Sequence, residues 1–516
     1  MISKVSSPQI IFPQPIALGH RDVGDAIVHK CDVAIIGAGA GGAAAAKVLT
    51  DAGISVLVIE SGPAQSRFRS NYAHTAKYHM QENGAMVARG AAMMPIAAGK
   101  GVGGSTLINS ALSFRAPESV LNHWAELLQD DRWSAENMNS IYSNMEKIIG
   151  VSATRAEIAG ANNKLIVRGI ETLGYEGGFA PRSTPGCVGC GVCYYGCPSN
   201  GKASTNLTFL PKAVKRGTVI QAETEITKFI VKDKRVIGIH GHARNPDTGE
   251  ITGKVEVRAE HTLCCAGAIG TPKLFHRSGL VRHLSSHCGK GLKVHPGSTL
   301  IGISHERIEL WKGATQGAYY HPPNLPGVLP HSFSAPPEAC LVAAGFIGSQ
   351  FSKGWELLPH LCGMLVMVSD QGTGSVSSNK DGSAKIHYDF NPQDVQRIKD
   401  GLVSVAEVLL EGGAYELRAP IHGVKPFSSP AELRAQLKDK HIHDFTLYAA
   451  HPMGTCKLGI NRANGVASST GKCFGLEGIS VADASVFPSS LGVNPQPSTM
   501  AAATVISTAL RDELSI

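Results

Sequence analysis

The feature that most constrains this chain is a glycine-rich turn between a short apolar strand and a helix. The apolar pattern predicts a strand over residues 31–36, and an alanine-rich run predicts a helix over residues 43–52. Gly37, Gly39 and Gly42 stand between them in G-x-G-x-x-G spacing. The first glycine allows a tight turn, the second lets a pyrophosphate approach the backbone, and the third lets helix and strand pack closely.

A second apolar strand over residues 55–59 completes a βαβ unit and predicts a parallel sheet. It ends in Glu60, whose carboxylate can accept hydrogen bonds from ribose hydroxyls at that place. The start of the intervening helix offers free N–H groups and partial positive charge to phosphates. The unit therefore predicts dinucleotide binding and leaves FAD and NAD open, the alternative being a glycine-rich turn without a ligand.

Composition excludes several classes of protein. The 516 residues are 43% apolar and 17% charged, which indicates a compact folded chain and neither a disordered one nor a membrane bundle. The formal net charge of +7 comes without a long basic run, so we expect no nucleic-acid partner. The sequence has no 18-residue apolar stretch and its N-terminus lacks signal-peptide features, so we expect no transmembrane segment and a cytoplasmic location.

The rest of the pattern predicts an α/β fold in which the parallel-sheet domain is interleaved with an antiparallel-sheet domain. Alternating runs over residues 215–263 and 363–388 are typical of antiparallel strands, the second with a hairpin turn at Asp381 and Gly382. An amphipathic pattern predicts a helix over residues 394–410, and a last helix is expected to begin near Ser498. No linker-like composition separates these blocks, which favours interleaved domains.

Three ordered segments resemble the signatures of the glucose-methanol-choline (GMC) family of FAD oxidoreductases. Together they extend over roughly residues 31–510. The first segment follows Gly99, the second begins at Ala266, and the third includes the tail from His451 onwards. The residues in them that we expect to contact the cofactor or shape its site are Gly103, Gly104, Ser105, Asn109, Ala266, Gly267, Asp483 and Pro495.

The resemblance implies a Rossmann-like FAD-binding domain made of residues 31–115, 205–299 and 446–516. A substrate domain would comprise residues 116–204 and 300–445, and residues 1–30 would form an N-terminal arm. The glycines of the first signature would let backbone amides approach the isoalloxazine ring, and the Ser and Asn side chains would hydrogen-bond its polar edge or the phosphates. The alternative for this segment is a turn into a helix with Ser105 as its N-cap.

The resemblance also implies the chemistry of the tail. In this family the residue that matches His451 faces the flavin and acts as base for the substrate hydroxyl, while the residue at Asn494 hydrogen-bonds the same oxygen. An imidazole can take that proton near neutral pH, whereas an amide can donate a hydrogen bond but cannot accept the proton. Pro452 would fix the direction of the imidazole by holding the preceding residue extended. The alternative for His451 is a histidine of the core, and the alternative for Asn494 is a turn residue before Pro495.

We therefore expect FAD-dependent oxidation of an alcohol to an aldehyde or ketone. The His and Asn pairing favours an apolar alcohol, long-chain or steroid-like, and the electron acceptor is dioxygen or a redox carrier. Rival functions are a lyase or a photodecarboxylase on the same fold, and an iron–sulfur electron-transfer protein. An intact base at His451 argues against the decarboxylase, and the retained His451 and Asn494 argue against the electron carrier.

Four cysteines in the loop 186–202 complicate this reading. Cys187, Cys190, Cys193 and Cys197 precede a proline in the pattern C-x2-C-x2-C-x3-C-P, the spacing of bacterial ferredoxin ligands. In two-cluster ferredoxins the fourth cysteine serves the other cluster, and the sequence holds no second run. The loop also resembles that of the long-chain alcohol oxidase and cholesterol oxidase-like branches of the family. An iron–sulfur cluster, a zinc site, and thiols or a disulfide that hold the loop all stay open.

Overall fold

The computed structural model describes residues 17–64 and 68–515. Of the predicted N-terminal arm, residues 1–16 lie outside the described residues. The strands are β1 (Ala26–Ile36), β2 (Val56–Ile59), β3 (Val87–Arg89), β4 (Met94–Pro95), β5 (Ser152–Ala153), β6 (Glu176–Phe179), β7 (Pro181–Arg182), β8 (Val219–Gln221), β9 (Thr224–Lys232), β10 (Arg235–Arg244), β11 (Ile251–Cys264), β12 (Lys290–Leu292), β13 (Gly297–Ser304), β14 (Ala318–His321), β15 (His331–Ser332), β16 (Leu361–Met367), β17 (Thr373–Ser378), β18 (Ala384–Asp389), β19 (Ala414–Arg418) and β20 (Ile479–Val481).

The α-helices cover the faces and ends of these sheets. They are α1 (Ala40–Asp51), α2 (Tyr72–His79), α3 (Glu118–Leu128), α4 (Ala135–Ile149), α5 (Ala156–Ala159), α6 (Ala161–Leu173), α7 (Phe209–Lys215), α8 (Gly267–Arg277), α9 (Pro337–Ala343), α10 (Phe351–Leu357), α11 (Pro392–Glu411), α12 (Pro430–Leu437) and α13 (Gln496–Leu514). None of the described helices combines the length and apolarity needed to cross a bilayer.

The sheet that carries the glycine-rich turn is mixed. Its strand order is β8-β2-β1-β11-β10-β9, and β20 also pairs with β11. Strands β8, β2, β1, β11 and β20 run parallel, whereas β9, β10 and β11 form an antiparallel meander. The four residues of β2 and the last four of β1 are buried, as expected for strands covered on both faces. The α/β fold class predicted from the sequence is confirmed.

Two elements around the glycine-rich turn begin earlier than the sequence predicts. Strand β1 starts at Ala26, inside the predicted arm, because its first half pairs with β11 and is partly exposed, so it lacks an apolar run. Helix α1 starts at Ala40 and includes Gly41 and Gly42. Only glycine fits at these two helical positions, because a Cβ atom would lie 2.2 Å from the carbonyl oxygen of Ala482 at Gly41 and 1.9 Å from that of Gly37 at Gly42.

An antiparallel sheet covers the other side of the molecule. Its strand order is β19-β13-β16-β15-β14-β6, and α11 packs against β13 and β16. The run predicted over residues 363–388 is divided, because β17 and β18 form a hairpin in a different sheet from β16. Gly382 makes the predicted hairpin turn with a φ of +84°. The division of the chain into domains stays a prediction.

Candidate active site

A cavity of about 910 Å³ lies between the two large sheets. The sequence-predicted residues on its wall are Gly37, Gly39, Glu60, Gly104, Ser105, Asn109, Ala266, Gly267, His451, Asp483, Asn494 and Pro495. Gly42 and Gly103 do not line it. Gly42 instead packs against the turn at Gly37, and the N–H of Gly103 donates to the carbonyl oxygen of Ala38 at 3.1 Å.

The two glycine-rich loops touch each other beside this cavity. A Cβ atom at Gly104 would lie 2.6 Å from the Cα atom of Gly39, and Gly104 has a φ of +52°. Glycine is required there both for the close approach and for the left-handed backbone. Both loops therefore present main chain to the cavity, beside the start of α1, where free N–H groups favour phosphate.

Glu60 holds the backbone around the glycine-rich turn. One carboxylate oxygen accepts the N–H of Ala38 at 3.0 Å, and the other accepts those of Gly62 at 2.8 Å and Gly101 at 3.1 Å. Glu60 is buried and joins three chain segments. Replacement of its carboxylate would therefore destabilise the turn and would also remove any hydrogen bond to a ribose. The ribose contact itself stays a prediction.

Asp483 holds the backbone at the start of α8 through hydrogen bonds to its carboxylate. Its carboxylate accepts the N–H of Gly267 at 2.8 Å, the hydroxyl of Thr271 at 2.6 Å and the N–H of Ser485 at 2.8 Å. A carboxylate at a helix N-terminus interacts favourably with the helix dipole. Burial nevertheless raises the pKa of Asp483 above its usual value, with the hydrogen bonds opposing that effect.

His451 and Asn494 meet at one end of the cavity. Nε2 of His451 lies 3.0 Å from Nδ2 of Asn494, and within the described chain Oδ1 of Asn494 is buried without a partner. Burial, and secondarily the neighbouring His295, hold the pKa of His451 well below its usual range. The imidazole is therefore neutral at physiological pH. In this form one ring nitrogen donates a hydrogen bond and the other accepts one.

The structure adds residues that the sequence reasoning missed. His295 lies behind His451, with 3.3 Å between their Nδ1 atoms and the rings edge to face. The available signal was the dipeptide His295-Pro296, which repeats the form of His451-Pro452. A following proline favours extended backbone in the residue before it, but His295 departs from this, with a φ of +51° in the left-handed region.

His331 is the other missed residue, and it sits on the antiparallel sheet. Leu365 on β16 is the register partner of Thr299 on β13 and of His331 on β15. All three line the cavity, so they form a row across the face of the sheet. Gln316 lies 3.1 Å from Nδ1 of His331. Burial lowers the pKa of His331 to about 3, with the nearby His451 adding to the effect.

Part of the cavity wall is apolar. Phe333, Leu365, Met367, Ala335 and Pro336 line it together with the ring of Tyr448. The Tyr448 hydroxyl is satisfied elsewhere, since it donates to the carbonyl oxygen of Val366 at 2.9 Å. This part of the wall suits an apolar molecule with one polar group directed at the imidazoles.

The four cysteines of the loop 186–202 are free thiols. Among residues 17–64 and 68–515, no group of three or more His, Cys, Asp or Glu side chains is arranged to hold a metal ion. The sulfur atoms accept N–H hydrogen bonds instead: Cys187 from Gly189, Cys197 from Lys202, and Cys193 from the guanidinium of Arg182. This arrangement is compatible with thiols that hold the loop.

Cys193 is the buried member of this group, between two buried cations. Burial alone would raise the pKa of its thiol, but the charges of Arg182 and Lys202 bring it below the usual value. Nζ of Lys202 donates to the backbone carbonyls of Leu107, Asn109 and Cys193 at 2.8, 2.7 and 3.2 Å. The cysteine loop is thereby tied to the segment that forms the cavity wall.

This combination of a βαβ dinucleotide turn, a second glycine loop and a facing antiparallel sheet defines a flavin-dependent oxidoreductase fold. The FAD binding domain model matches residues 30–88, and the GMC oxidoreductase models match residues 76–297 and 368–503. The chain belongs to the GMC oxidoreductase family.

Individual relatives agree with this assignment. An uncharacterized GMC-type oxidoreductase of Mycobacterium tuberculosis is 32% identical over 484 residues, which cover 93% of this chain and 75% of that protein. A long-chain-alcohol oxidase of Arabidopsis thaliana is 26% identical over 96% of this chain and 69% of its own length. The solved structure of pyridoxine 4-oxidase from Mesorbium loti has a TM-score of 0.71 to this chain at 16% identity, over 93% of this chain and 99% of that one, which shows the shared fold.

The protein is an FAD-dependent oxidoreductase, and the residues present fit the cofactor. Gly37 and Gly39 at the start of α1 would hold the pyrophosphate, and a side chain at Gly37 is excluded because its Cβ atom would lie 2.4 Å from the carbonyl oxygen of Cys265. Ser105, Ala266 and the Asn494-Pro495 turn line the same cavity. When bound, FAD supplies a two-electron acceptor for hydride.

Proposed function

We propose that the protein oxidises the CH–OH group of an apolar alcohol to an aldehyde or ketone. The observation that carries the proposal is the pair His451 and Asn494, brought within 3.0 Å of each other on the wall of the cofactor cavity. The long-chain-alcohol oxidase of Arabidopsis thaliana, 26% identical over most of this chain, supports the same substrate class.

The protein's own residues have separable tasks in this reaction. The apolar wall at Phe333, Leu365 and Met367 would bind the hydrocarbon part and exclude water. His451 and Asn494 would hold the reacting oxygen, and an imidazole of the site would take its proton. Exclusion of water strengthens these hydrogen bonds because the local dielectric constant is low.

Straight-chain alcohols fit this cavity better than polyols. Phe333, Leu365 and Met367 on the cavity wall offer no hydrogen bonds, and the Tyr448 hydroxyl is already paired with the carbonyl oxygen of Val366, so several hydroxyls placed against these side chains would stay unsatisfied. An unsatisfied buried hydroxyl costs about 1–3 kcal/mol. We therefore propose a long-chain or steroid-like alcohol as substrate and dioxygen or a redox carrier as the acceptor.

Anaerobic reduction of the bound flavin tests the proposal. Purified holoprotein is mixed with a panel of primary, secondary and steroid alcohols and with glucose, and bleaching is followed near the flavin absorption maximum. We expect apolar alcohols to bleach the flavin and His451→Gln to slow bleaching by about 10²-fold or more. His123→Gln, an exposed residue on α3, serves as the matched control. Bleaching by none of the alcohols, or an unaffected His451→Gln variant, contradicts the proposal.

A further inference from the structure

The cysteine loop 186–202 contributes one residue to the wall of the cofactor cavity. The two ends of the loop lie together, because the N–H of Gly186 donates to the carbonyl oxygen of Gly201 at 3.1 Å. A Cβ atom at Gly201 would lie 2.1 Å from the carbonyl oxygen of Gly186, so this closure requires glycine. Of the loop residues, all of which the structure describes, Tyr194 alone lines the cavity. Tyr194, near the middle of the loop, is therefore turned toward the site.

The backbone just before Tyr194 is held by three donors. Nζ of Lys202 and the backbone N–H of Gly196 both donate to the carbonyl oxygen of Cys193, each at 3.2 Å. The guanidinium of Arg182 donates to the sulfur of Cys193 at 3.4 Å. Because Lys202 also donates to two carbonyl oxygens beside the cavity, the position of Tyr194 is tied to that of the cavity wall.

The ring of Tyr194 faces the cavity. Burial raises the pKa of its hydroxyl to about 12, because the protein around the phenol keeps water away from it. The side chain is nevertheless partly exposed. A residue that is enclosed by protein and lines a cavity has its exposed part on the cavity side. Tyr194 therefore presents an uncharged aromatic ring to a molecule in this space.

The loop adjoins the apolar part of the cavity wall. The hydroxyl of Ser334 donates to the carbonyl oxygen of Gly191, three residues before Tyr194, at 3.2 Å. Ser334 stands between Phe333 and Ala335 in the chain, and all three line the cavity. The residue that the loop adds to the wall thus lies beside the side chains that suit a hydrocarbon.

Tyr448 adds a second aromatic ring to this region. Burial holds the pKa of Tyr448 well above its usual value, and the nearby Tyr194 adds to that effect. Tyr448 packs against the apolar cluster that contains Phe333 and Leu365. The cavity of about 910 Å³ must also hold FAD, so part of it is left for a substrate. The two phenol rings narrow the apolar space that remains.

We propose that Tyr194 determines substrate specificity by limiting the width of the substrate site, so that a straight-chain primary alcohol fits and a fused-ring steroid alcohol does not. The inference rests on the proposed alcohol oxidation and narrows its substrate class. A flexible alkyl chain can lie along an aromatic ring, whereas a rigid fused-ring system needs the volume that the phenol occupies. The cysteine loop then serves to place Tyr194 at the substrate.

Tyr195 offers a matched control in the same loop. It follows Tyr194 in the chain but does not line the cavity. Its side chain lies near Glu338 and Tyr72, whose charges raise its pKa in addition to the effect of burial. Replacement of either tyrosine by alanine removes the same group from the loop, so a general loss of loop packing should be common to both variants.

Anaerobic flavin reduction by dodecan-1-ol and by a 3β-hydroxysteroid tests the proposal, with the bimolecular rate constant measured for each alcohol. We expect the wild type to prefer dodecan-1-ol. A difference of one methylene in an apolar pocket changes such a preference by about 10–200-fold, so Tyr194→Ala should raise the steroid rate constant relative to that of dodecan-1-ol by at least about tenfold. Tyr194→Phe, which keeps the ring, and Tyr195→Ala should keep the wild-type ratio.

The ratio compares two alcohols on one protein preparation, so a loss of stability or of bound FAD does not change it. Tyr194→Leu, which is narrower than tyrosine, should shift the ratio in the same direction and replaces Tyr194→Ala if that variant does not fold. A wild type that prefers the steroid, an unchanged ratio in the folded variant, or an equal shift in Tyr195→Ala would refute the role of Tyr194 and leave the proposed function intact. If neither alcohol reduces the wild-type flavin, the proposed function fails, and the specificity assigned to Tyr194 fails with it.

Discussion

Replacement of Gly42 by alanine separates intrinsic helix propensity from the packing that forms the cofactor turn. Gly42 lies inside α1, where alanine is favoured over glycine by roughly 0.5–1 kcal/mol, so propensity alone predicts a more stable protein. A Cβ atom there would lie 1.9 Å from the carbonyl oxygen of Gly37 and 3.2 Å from the side chain of Ile35. The carbonyl would have to move by about 1 Å to reach an allowed contact.

The packing effect should exceed the propensity effect. Overpacking of a well-packed interior costs about 1–3 kcal/mol, so we expect the free energy of unfolding of Gly42→Ala to fall by roughly that amount less the propensity gain. Because Gly37 also lines the cofactor cavity, its displacement should weaken FAD binding by about tenfold for each 1.4 kcal/mol of distortion in the bound state.

The assay is an FAD titration of the apoprotein followed by denaturant unfolding of the holoprotein. Gly53→Ala is the control, since it follows the same helix, has a φ of +82° and has open space around its Cβ position. It should lose some stability through its backbone while keeping FAD affinity. A Gly42→Ala protein that is as stable as the wild type and binds FAD equally well would refute the packing argument.

Three further outcomes follow from buried groups. Burial lowers the pKa of His261 to about 4, below its ordinary 6.5, so its contribution to the free energy of unfolding is complete above pH 6.5 and is lost as the pH falls toward 4. The free energy of unfolding of His261→Gln should therefore fall by about 1–2 kcal/mol less than that of the wild type between pH 7.5 and 5. Lys202→Met should lower the free energy of unfolding by about 1–3 kcal/mol, measured by denaturant titration, because backbone carbonyls beside the cavity lose their donor. Metal analysis and electron paramagnetic resonance should find no stoichiometric iron or zinc, because no group of three or more His, Cys, Asp or Glu side chains among residues 17–64 and 68–515 is arranged to hold a metal ion; a broad iron–sulfur spectrum would contradict this.

Much of the cofactor side of the molecule could be predicted because its signals are local. Nearby backbone excludes side chains at Gly37 and Gly42, so the glycine spacing reveals a strand, a turn and a helix within about 30 residues. The start of β1 could not be predicted because residues as exposed as Val28 are held there by pairing with β11, a partner more than 200 residues away.

The residues on the substrate side of the cavity could not be predicted from local sequence patterns. His331 lies on a two-residue strand whose neighbours come from β14 and β16, and it is brought to the cavity by sheet register alone. His295 has a local signal in its proline, yet its proximity to His451 depends on Asp370 and Gly492, which are distant in sequence. Long-range pairing of this kind leaves no periodic trace.

The most direct measurement is the anaerobic reaction of the holoprotein with dodecan-1-ol and with the same alcohol carrying two deuterium atoms at C1. The account predicts bleaching of the flavin, formation of the aldehyde, and a several-fold slower reaction with the deuterated alcohol, since the C–H bond breaks in the step observed. A flavin that stays oxidised with both alcohols would contradict the account.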